Sequence, residues 1–215
     1  MKHSFKNLFV IIMILISLIG SSIQATSVDA LAYPDANITV SLPASWQTAK
    51  LIDVWGYDAS NVYIAGNGTS SGATLPLIYK KNGTAWDPST PGLPTAPGTW
   101  TSGSLKAVWG ADTTNIYTVG NGTSSGATLP VIYKKNGTAW DPSSPDLPVT
   151  EGEPWIAGFL EDVWGPSASD VYAVGYGSTF GAPTKPLVYR STDNGANWEY
   201  SLPPLLASWN GYLYG

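Results

Sequence analysis

The chain has no cysteine, one histidine (His3) and one arginine (Arg190), and only 12% of its 215 residues are charged. Soluble domains usually carry about 25% charged residues. Without cysteine, stability outside a cell must come from packing rather than from disulfides. If His3 is removed with a leader, the remaining chain cannot form a His/Cys zinc site, a Ser-His-Asp triad or a Cys-His pair. We therefore expect no metal site and no cofactor.

The N-terminus is typical of a secretory signal. Lys2, His3 and Lys6 precede an apolar run over residues 8–19, and these 12 residues are fewer than the roughly 18–20 that span a bilayer. Small residues follow, so the sequence predicts a signal peptide over residues 1–25, cleaved after Ala25 or within residues 30–32. An uncleaved membrane anchor is the alternative. The mature chain is expected to be secreted, extracellular or in the cell envelope, with no membrane contact after cleavage.

The charge balance argues against some partners. Removal of Lys2 and Lys6 leaves 8 basic against 15 acidic residues. Nucleic acids and anionic membrane surfaces are bound by clustered Lys and Arg. Neither is therefore expected as a partner.

An internal repeat dominates the chain. Residues 61–94 and 115–148 are identical at 28 of 34 positions, and a more diverged copy begins at Leu160. Val-Trp-Gly triplets start at residues 54, 108 and 163, so the period is 54 to 55 residues. We divide the chain into an N-terminal segment (26–45), three repeats (46–99, 100–154 and 155–209) and the start of a fourth (210–215).

All ten tryptophans keep the phase of this repeat. They form three columns, which are Trp55, Trp109 and Trp164; Trp86, Trp140 and Trp198; and Trp46, Trp100, Trp155 and Trp209. Aromatic residues at a fixed phase are more typical of packing between units than of a ligand site.

Each repeat contains four short candidate strands separated by turn residues, such as 51–55, 61–65, 75–80 and 84–87 in the first copy. Asn82-Gly83 is typical of a type I′ hairpin, and no sustained helical period occurs. Four antiparallel strands in each repeat of about 54 residues predict an all-β fold made of β-propeller blades.

Three blades are fewer than the four to eight that usually close a propeller. Residues 38–43 resemble 200–203, which predicts an extra blade-edge strand in the N-terminal segment. We expect an open or partial propeller that is either a truncated reading frame or a homo-oligomer that closes by self-association.

One motif resembles a known family. Ser191, Asp193, Gly195 and Trp198 match the Asp-box pattern S-x-D-x-G-x-x-W of sialidase-like propellers, and the Val-Trp-Gly context is similar to secreted bacterial proteins with BNR repeats. The first two copies lack the Ser and the Asp. In that family the Asp box has a structural role, because its side chains satisfy backbone groups of a hairpin.

The resemblance does not extend to catalysis. Sialidases hold the substrate carboxylate with three arginines, and Arg190 alone cannot form such a clamp. Other propeller glycosidases use two facing carboxylates, but the candidate acids fall in turns of the repeat, where capping roles are expected; they are Asp53, Asp58, Asp112, Asp162 and Asp170. We predict no catalytic residues.

The loops indicate where a ligand would bind. Uncharged loops at 66–75 and 120–129, with Asn67 and Asn121, are expected to share a face with the Pro-rich connections that end at Trp46, Trp100 and Trp155. Indole faces beside small polar groups suit sugar rings. The sequence therefore predicts a non-catalytic protein that binds a glycan or another protein through this face. The alternatives are a sialidase-like glycoside hydrolase fragment without its catalytic residues, and a purely structural surface repeat.

Overall fold

The computed structural model describes residues 39–149, 154–180, 184–201 and 211–214. These residues form thirteen β-strands and no helix, which confirms the all-β prediction for this part of the chain. None of these residues belongs to a helix that could cross a membrane. The predicted signal peptide lies outside the described residues, as do residues 202–210.

The strands form three sheets that follow the three repeats. Sheet A contains β2 (Trp46–Gly56), β3 (Val62–Ser70), β4 (Ala73–Asn82) and β5 (Ala85–Ser89). Sheet B contains β6 (Trp100–Gly110), β7 (Ile116–Ser124), β8 (Ala127–Asn136) and β9 (Ala139–Ser143). Sheet C contains β10 (Trp155–Ser167), β11 (Asp170–Thr179), β12 (Lys185–Ser191) and β13 (Glu199–Tyr200). In each sheet, strands consecutive in sequence lie side by side and antiparallel.

The N-terminal segment adds a short edge to sheet A. Strand β1 (Thr39–Val40) pairs with β5 in parallel, with Val40 opposite Trp86. Just beyond it, the carbonyl of Ser41 accepts a hydrogen bond of 2.8 Å from the Tyr79 hydroxyl. The Tyr133 hydroxyl makes the same contact with Gly92 at 3.0 Å. Residues 39–43 therefore occupy the place that the inter-sheet connection takes in sheet B.

The predicted loops at 66–75 and 120–129 are wrong. Strands β3 and β4 continue through that stretch and leave only Ser71-Gly72 as a turn. The glycines were interpreted as breaks, but Gly66 lies in a strand opposite a bulge of β2, where a Cβ would stand 2.0 Å from the Lys50 carbonyl oxygen. Glycine at such a place marks a close approach of two backbones rather than the end of a strand.

The predicted hairpin type at Asn82-Gly83 is also wrong. Asn82 pairs with Ala85, so the turn residues are Gly83 and Thr84. Only Gly83 has a positive φ, of 59°, which is the pattern of a type II′ turn. The type I′ pattern occurs instead at Ser71-Gly72, where φ is 50° and 82°.

The three sheets pack face to face around two aromatic and aliphatic cores. Between sheets A and B lie Tyr63, Ala65 and Ile78 of A against Leu105, Val108, Ile116, Val131 and Tyr133 of B. Between sheets B and C lie Tyr117, Val119 and Ile132 of B against Leu160, Val163, Val171, Leu187 and Tyr189 of C. Sheet B is therefore covered on both faces, whereas sheets A and C each have an outer face that no other sheet covers. The outer face of sheet A carries a third buried cluster, of Ile64, Leu77, Tyr79 and Trp86.

Candidate functional site

The three predicted tryptophans of the ligand face begin the first strand of each sheet and lie at the same end of the sheets. We call this the tryptophan end. Each ring lies over a glycine of the neighbouring strand: Trp46 over Gly68, Trp100 over Gly122 and Trp155 over Gly177. A Cβ on any of these glycines would come within 2.5 to 2.8 Å of the ring. One face of each indole is therefore occupied by its own sheet.

The two predicted asparagines lie inside strands. Each lies in the same inter-sheet space as the tryptophan of the following sheet. Asn67 faces sheet B, because its amide oxygen accepts a hydrogen bond of 3.0 Å from Ser104. Side chains two residues apart share a face of a strand, so Asn121 faces sheet C together with Tyr117 and Val119. Asn67 and Trp100 thus both lie between sheets A and B, and Asn121 and Trp155 both lie between sheets B and C.

In the A–B rim, which we define as Asn67, Trp100 and Ser124, the hydroxyl and amide groups are bound by the protein's own chain, whereas the Trp100 indole N–H is buried without a hydrogen-bond partner in the described part of the chain. Trp100 is 9% exposed, and Asn67 is bound to Ser104. The Ser124 hydroxyl donates to the Pro97 carbonyl. Ser125 and Thr99 exchange two further hydrogen bonds, of 2.9 and 3.1 Å, which fold the connection over the rim.

The B–C rim, which we define as Asn121, Trp155, Thr179 and Phe180, differs at the same positions. Thr179 is aligned with Ser124, and its hydroxyl is buried without a hydrogen-bond partner in the described part of the chain. Next to it, Phe180 is 77% exposed, although its backbone N–H donates to the Pro154 carbonyl at 3.1 Å. Sequence reasoning missed Thr179 and Phe180. The signal that could have found them is the departure of Thr-Phe from the Ser-Ser of the other copies.

Two of the acidic residues considered for catalysis shape turns. Asp58 accepts hydrogen bonds from the backbone N–H groups of Ser60 and Asn61, at 2.8 and 2.9 Å. Asp112 accepts the same set from Thr114 and Asn115. Hydrogen bonds from the Thr114 hydroxyl and the Asn115 amide hold the pKa of Asp112 well below its usual range. These carboxylates are ionised turn caps.

The other acids are also engaged. Asp53 accepts a hydrogen bond of 2.9 Å from the backbone N–H of Val108 in the next sheet, and Asp162 accepts one of 2.8 Å from Val163. Asp170 forms an ion pair of 2.8 Å with Arg190, and the hydrogen bond from this guanidinium lowers the pKa of Asp170. Arg190 therefore has a carboxylate of its own chain as its partner.

The turn at 191–198 is a closed network at the opposite end of the sheets, which we call the hairpin end. Asp193 accepts from the Ser191 hydroxyl at 2.8 Å and from the Asn197 backbone N–H at 2.9 Å, while Ser191 accepts from the Gly195 N–H. The Asn197 backbone and side-chain donors, then Ser191, lower the pKa of Asp193 to about 2. The Trp198 ring packs edge-on against Tyr117 of sheet B, at 6.0 Å between centroids.

Two pockets lie at the hairpin end. One of about 150 Å³ is lined by Arg190, Asp193, Glu199 and Tyr200 among others. The other, of about 380 Å³, is lined by residues of sheet B that include Asn115, Lys134 and Asp141. Neither pocket is lined by the predicted ligand residues. No group of three His, Cys, Asp or Glu side chains that could hold a metal ion occurs in the described ranges.

Comparison with protein-family models and with curated proteins gave no match. The function must therefore be argued from the geometry of the chain itself.

Proposed function

We propose that the chain is a secreted, non-catalytic repeat protein whose sheets are β-propeller blades of the Asp-box type, and that it binds a glycan or another protein at the B–C rim. Three stacked sheets with the same strand order support the blades. The hydrogen bonds within the 191–198 turn support the Asp-box resemblance, since Ser191 and Asp193 satisfy backbone groups there.

The observation that carries the binding site is the buried, unpartnered hydroxyl of Thr179 beside Trp155. Buried polar groups in folded proteins nearly always have a hydrogen-bond partner. The aligned Ser124 has one in its own chain, the Pro97 carbonyl. A ligand hydroxyl supplies the missing partner at Thr179, while the rings of Trp155 and Phe180 provide the apolar surface that sugar C–H groups pack against.

The absence of catalysis is supported by the acids. Three of the candidate acids each bind a backbone N–H or an arginine; they are Asp53, Asp162 and Asp170. A general acid or base must have its carboxyl within reach of a substrate proton. Release of 4-methylumbelliferone from a fluorogenic sialoside by the purified protein would contradict this part of the proposal.

Thr179→Val tests the site. On a glycan array, or against the protein partner that a pull-down identifies, Thr179→Val should weaken binding about tenfold through loss of one hydrogen bond. The same change should raise thermal stability slightly, because it removes an unsatisfied buried hydroxyl. Ser124→Ala is the matched control and should leave binding unchanged. Unaltered binding by both Thr179→Val and Trp155→Ala would refute the site.

A purely structural role is the second candidate, and the packing of Trp46, Trp100 and Trp155 on glycines favours it. It predicts no binding on the array. It also predicts that Trp155→Ala lowers the unfolding temperature as much as Trp100→Ala does, although Trp100 is the more deeply buried of the two.

A further inference from the structure

The Val-Trp-Gly triplets have a contact that joins one sheet to the next. The ring of Trp55 in sheet A packs on Gly110 of sheet B, where a Cβ would stand 2.6 Å from the indole. The ring of Trp109 in sheet B packs on Gly165 of sheet C, where a Cβ would stand 3.1 Å from the indole. In the first two triplets the tryptophan thus covers the glycine of the following triplet.

A tyrosine and a cation accompany each of these tryptophans. The Tyr63 ring lies 6.3 Å from Trp55 and the Tyr117 ring 6.3 Å from Trp109. Lys80 lies 5.9 Å over Tyr63, and Lys134 lies 5.9 Å over Tyr117. The two contacts within the chain are therefore copies of one interface.

Sheet C carries the same donor set on its outer face. Trp164 stands in the position of Trp55 and Trp109, and Arg190 lies 5.3 Å over the Tyr172 ring, as the lysines lie over Tyr63 and Tyr117. Trp164, however, is 58% exposed. Residues 211–214 cover only the other end of this face, where Tyr212 packs on Tyr176 at 4.7 Å.

Sheet A carries the matching acceptor set on its outer face. Gly56, the glycine of the first triplet, is exposed, and no tryptophan ring in the described part of the chain lies over it. Leu51, Val54 and Val62 beside it are only partly buried, whereas other residues elsewhere on the same face are buried; they are Ile64, Leu77, Tyr79 and Trp86. The counterparts of the three partly buried residues, which the preceding sheet covers, are at most 4% exposed; they are Leu105, Val108 and Ile116 in sheet B, and Leu160, Val163 and Val171 in sheet C.

We propose that these two outer faces bind each other in separate copies of the chain, with Trp164 of one copy packing on Gly56 of the next. The partner is a second copy because both halves of the interface are on this chain, and because the same residue types already form it twice within each copy. Such a contact is heterologous: two different faces meet, so repeated contacts build a ring or a filament. This inference does not depend on ligand binding at the B–C rim.

A complementation experiment tests it. Trp164→Ala removes the donor and keeps the acceptor, whereas Gly56→Leu fills the acceptor and keeps the donor. Light scattering on the purified full chain should show concentration-dependent self-association. Each variant alone should associate at least about 30-fold more weakly, because each loses the packing of a central interface tryptophan on its glycine. An equimolar mixture of the two should form a 1:1 dimer, because one intact interface remains.

The outcomes separate the alternatives. Self-association of Gly56→Leu at the strength of the unmodified protein would overturn the proposal, since it would mean that Trp164 meets a surface other than Gly56. A monomeric unmodified protein, or a mixture that stays monomeric, would overturn it as well. Phe180→Ala removes a different exposed ring and should leave association unchanged. Unfolding temperatures near that of the unmodified protein would show that Trp164→Ala and Gly56→Leu are folded, since both sites are exposed.

Discussion

The A–B and B–C interfaces have the same aromatic plan but different polar contacts. Between A and B, a carboxylate of the first strand, Asp53, binds the backbone of Val108. Between B and C, that position is Ala107, and the polar contacts lie at the hairpin end. There the Tyr117 hydroxyl donates to the Asn194 side chain at 3.2 Å, and Lys134 donates to the Asn194 carbonyl.

The difference shows that the sheet that follows determines the contact. Tyr63 and Tyr117 occur in nearly identical repeats, yet only Tyr117 meets the longer 191–198 turn. The Tyr63 hydroxyl faces the shorter hairpin of sheet B and has no partner in the described part of the chain. Both interfaces thus share the nonpolar packing. Their hydrogen bonds differ in place, at the inner strand between sheets A and B and at the outer hairpin between sheets B and C.

The largest effect should come from the tryptophans that pack edge-on against these tyrosines. Trp140 meets Tyr63 and Trp198 meets Tyr117, both at 6.0 Å between ring centroids. Trp140→Ala should cost about 4 kcal/mol of unfolding free energy in urea titrations, within the range for buried tryptophans. Trp198→Ala should cost about 2 kcal/mol because Trp198 is less buried and the turn around it keeps its own hydrogen bonds. Equal losses would mean that the turn adds nothing to the B–C interface.

The next effect separates the two kinds of hairpin. Gly195 has φ 75°, and a Cβ there would stand 2.4 Å from the Tyr117 ring. Gly137 has φ 58° but open space around it. Gly137→Ala should therefore cost only the backbone strain of about 1 kcal/mol, and Gly195→Ala about 3 kcal/mol, since the steric clash with Tyr117 is added. Thermal unfolding of the two variants checks the order, and a smaller loss for Gly195→Ala would contradict the docking of this turn.

A smaller effect is expected at the inner strands, where only the A–B interface has a carboxylate. Asp53→Ala leaves the Val108 N–H without its acceptor and should lower the unfolding free energy by about 1–2 kcal/mol. Asp53→Asn keeps an acceptor oxygen and should lose less than half as much. Chemical denaturation measures both. Equal losses would indicate that the charge of Asp53, rather than its hydrogen bond to Val108, holds the sheets together.

Much of this architecture could be predicted from the repeat. The period placed four strands in each copy, and the tryptophan columns lie at equivalent positions of the three sheets. The hairpin at Ser71-Gly72 was missed because glycine has two uses that a single sequence does not separate. Gly66 and Gly68 resemble loop residues, yet they lie in a strand under a bulge and an indole ring. The Thr179 hydroxyl could not be predicted either, because its lack of a partner depends on contacts between distant residues.

The smallest prediction has opposite signs at the two interfaces. Tyr63→Phe removes a buried hydroxyl that has no partner in the described part of the chain, so the unfolding free energy should stay constant or rise by up to about 1 kcal/mol. Tyr117→Phe removes the donor to Asn194 and should lower the unfolding free energy by about 1 kcal/mol.

Burial, then Asp112 and Asp193, raises the pKa of Tyr117 to about 12. Because the unfolded chain ionises nearer 10, Tyr117 adds stability below pH 10 that is lost between pH 10 and 12. Burial also raises the pKa of other tyrosines, including Tyr63, Tyr79 and Tyr189, so Tyr117→Phe should reduce the loss without abolishing it. A Tyr117→Phe variant as alkali-sensitive as the parent would show that Tyr117 does not contribute. Alkaline unfolding followed by tyrosine absorbance measures this share, and Tyr63→Phe should also lower the alkali sensitivity, because burial raises the pKa of Tyr63 as well.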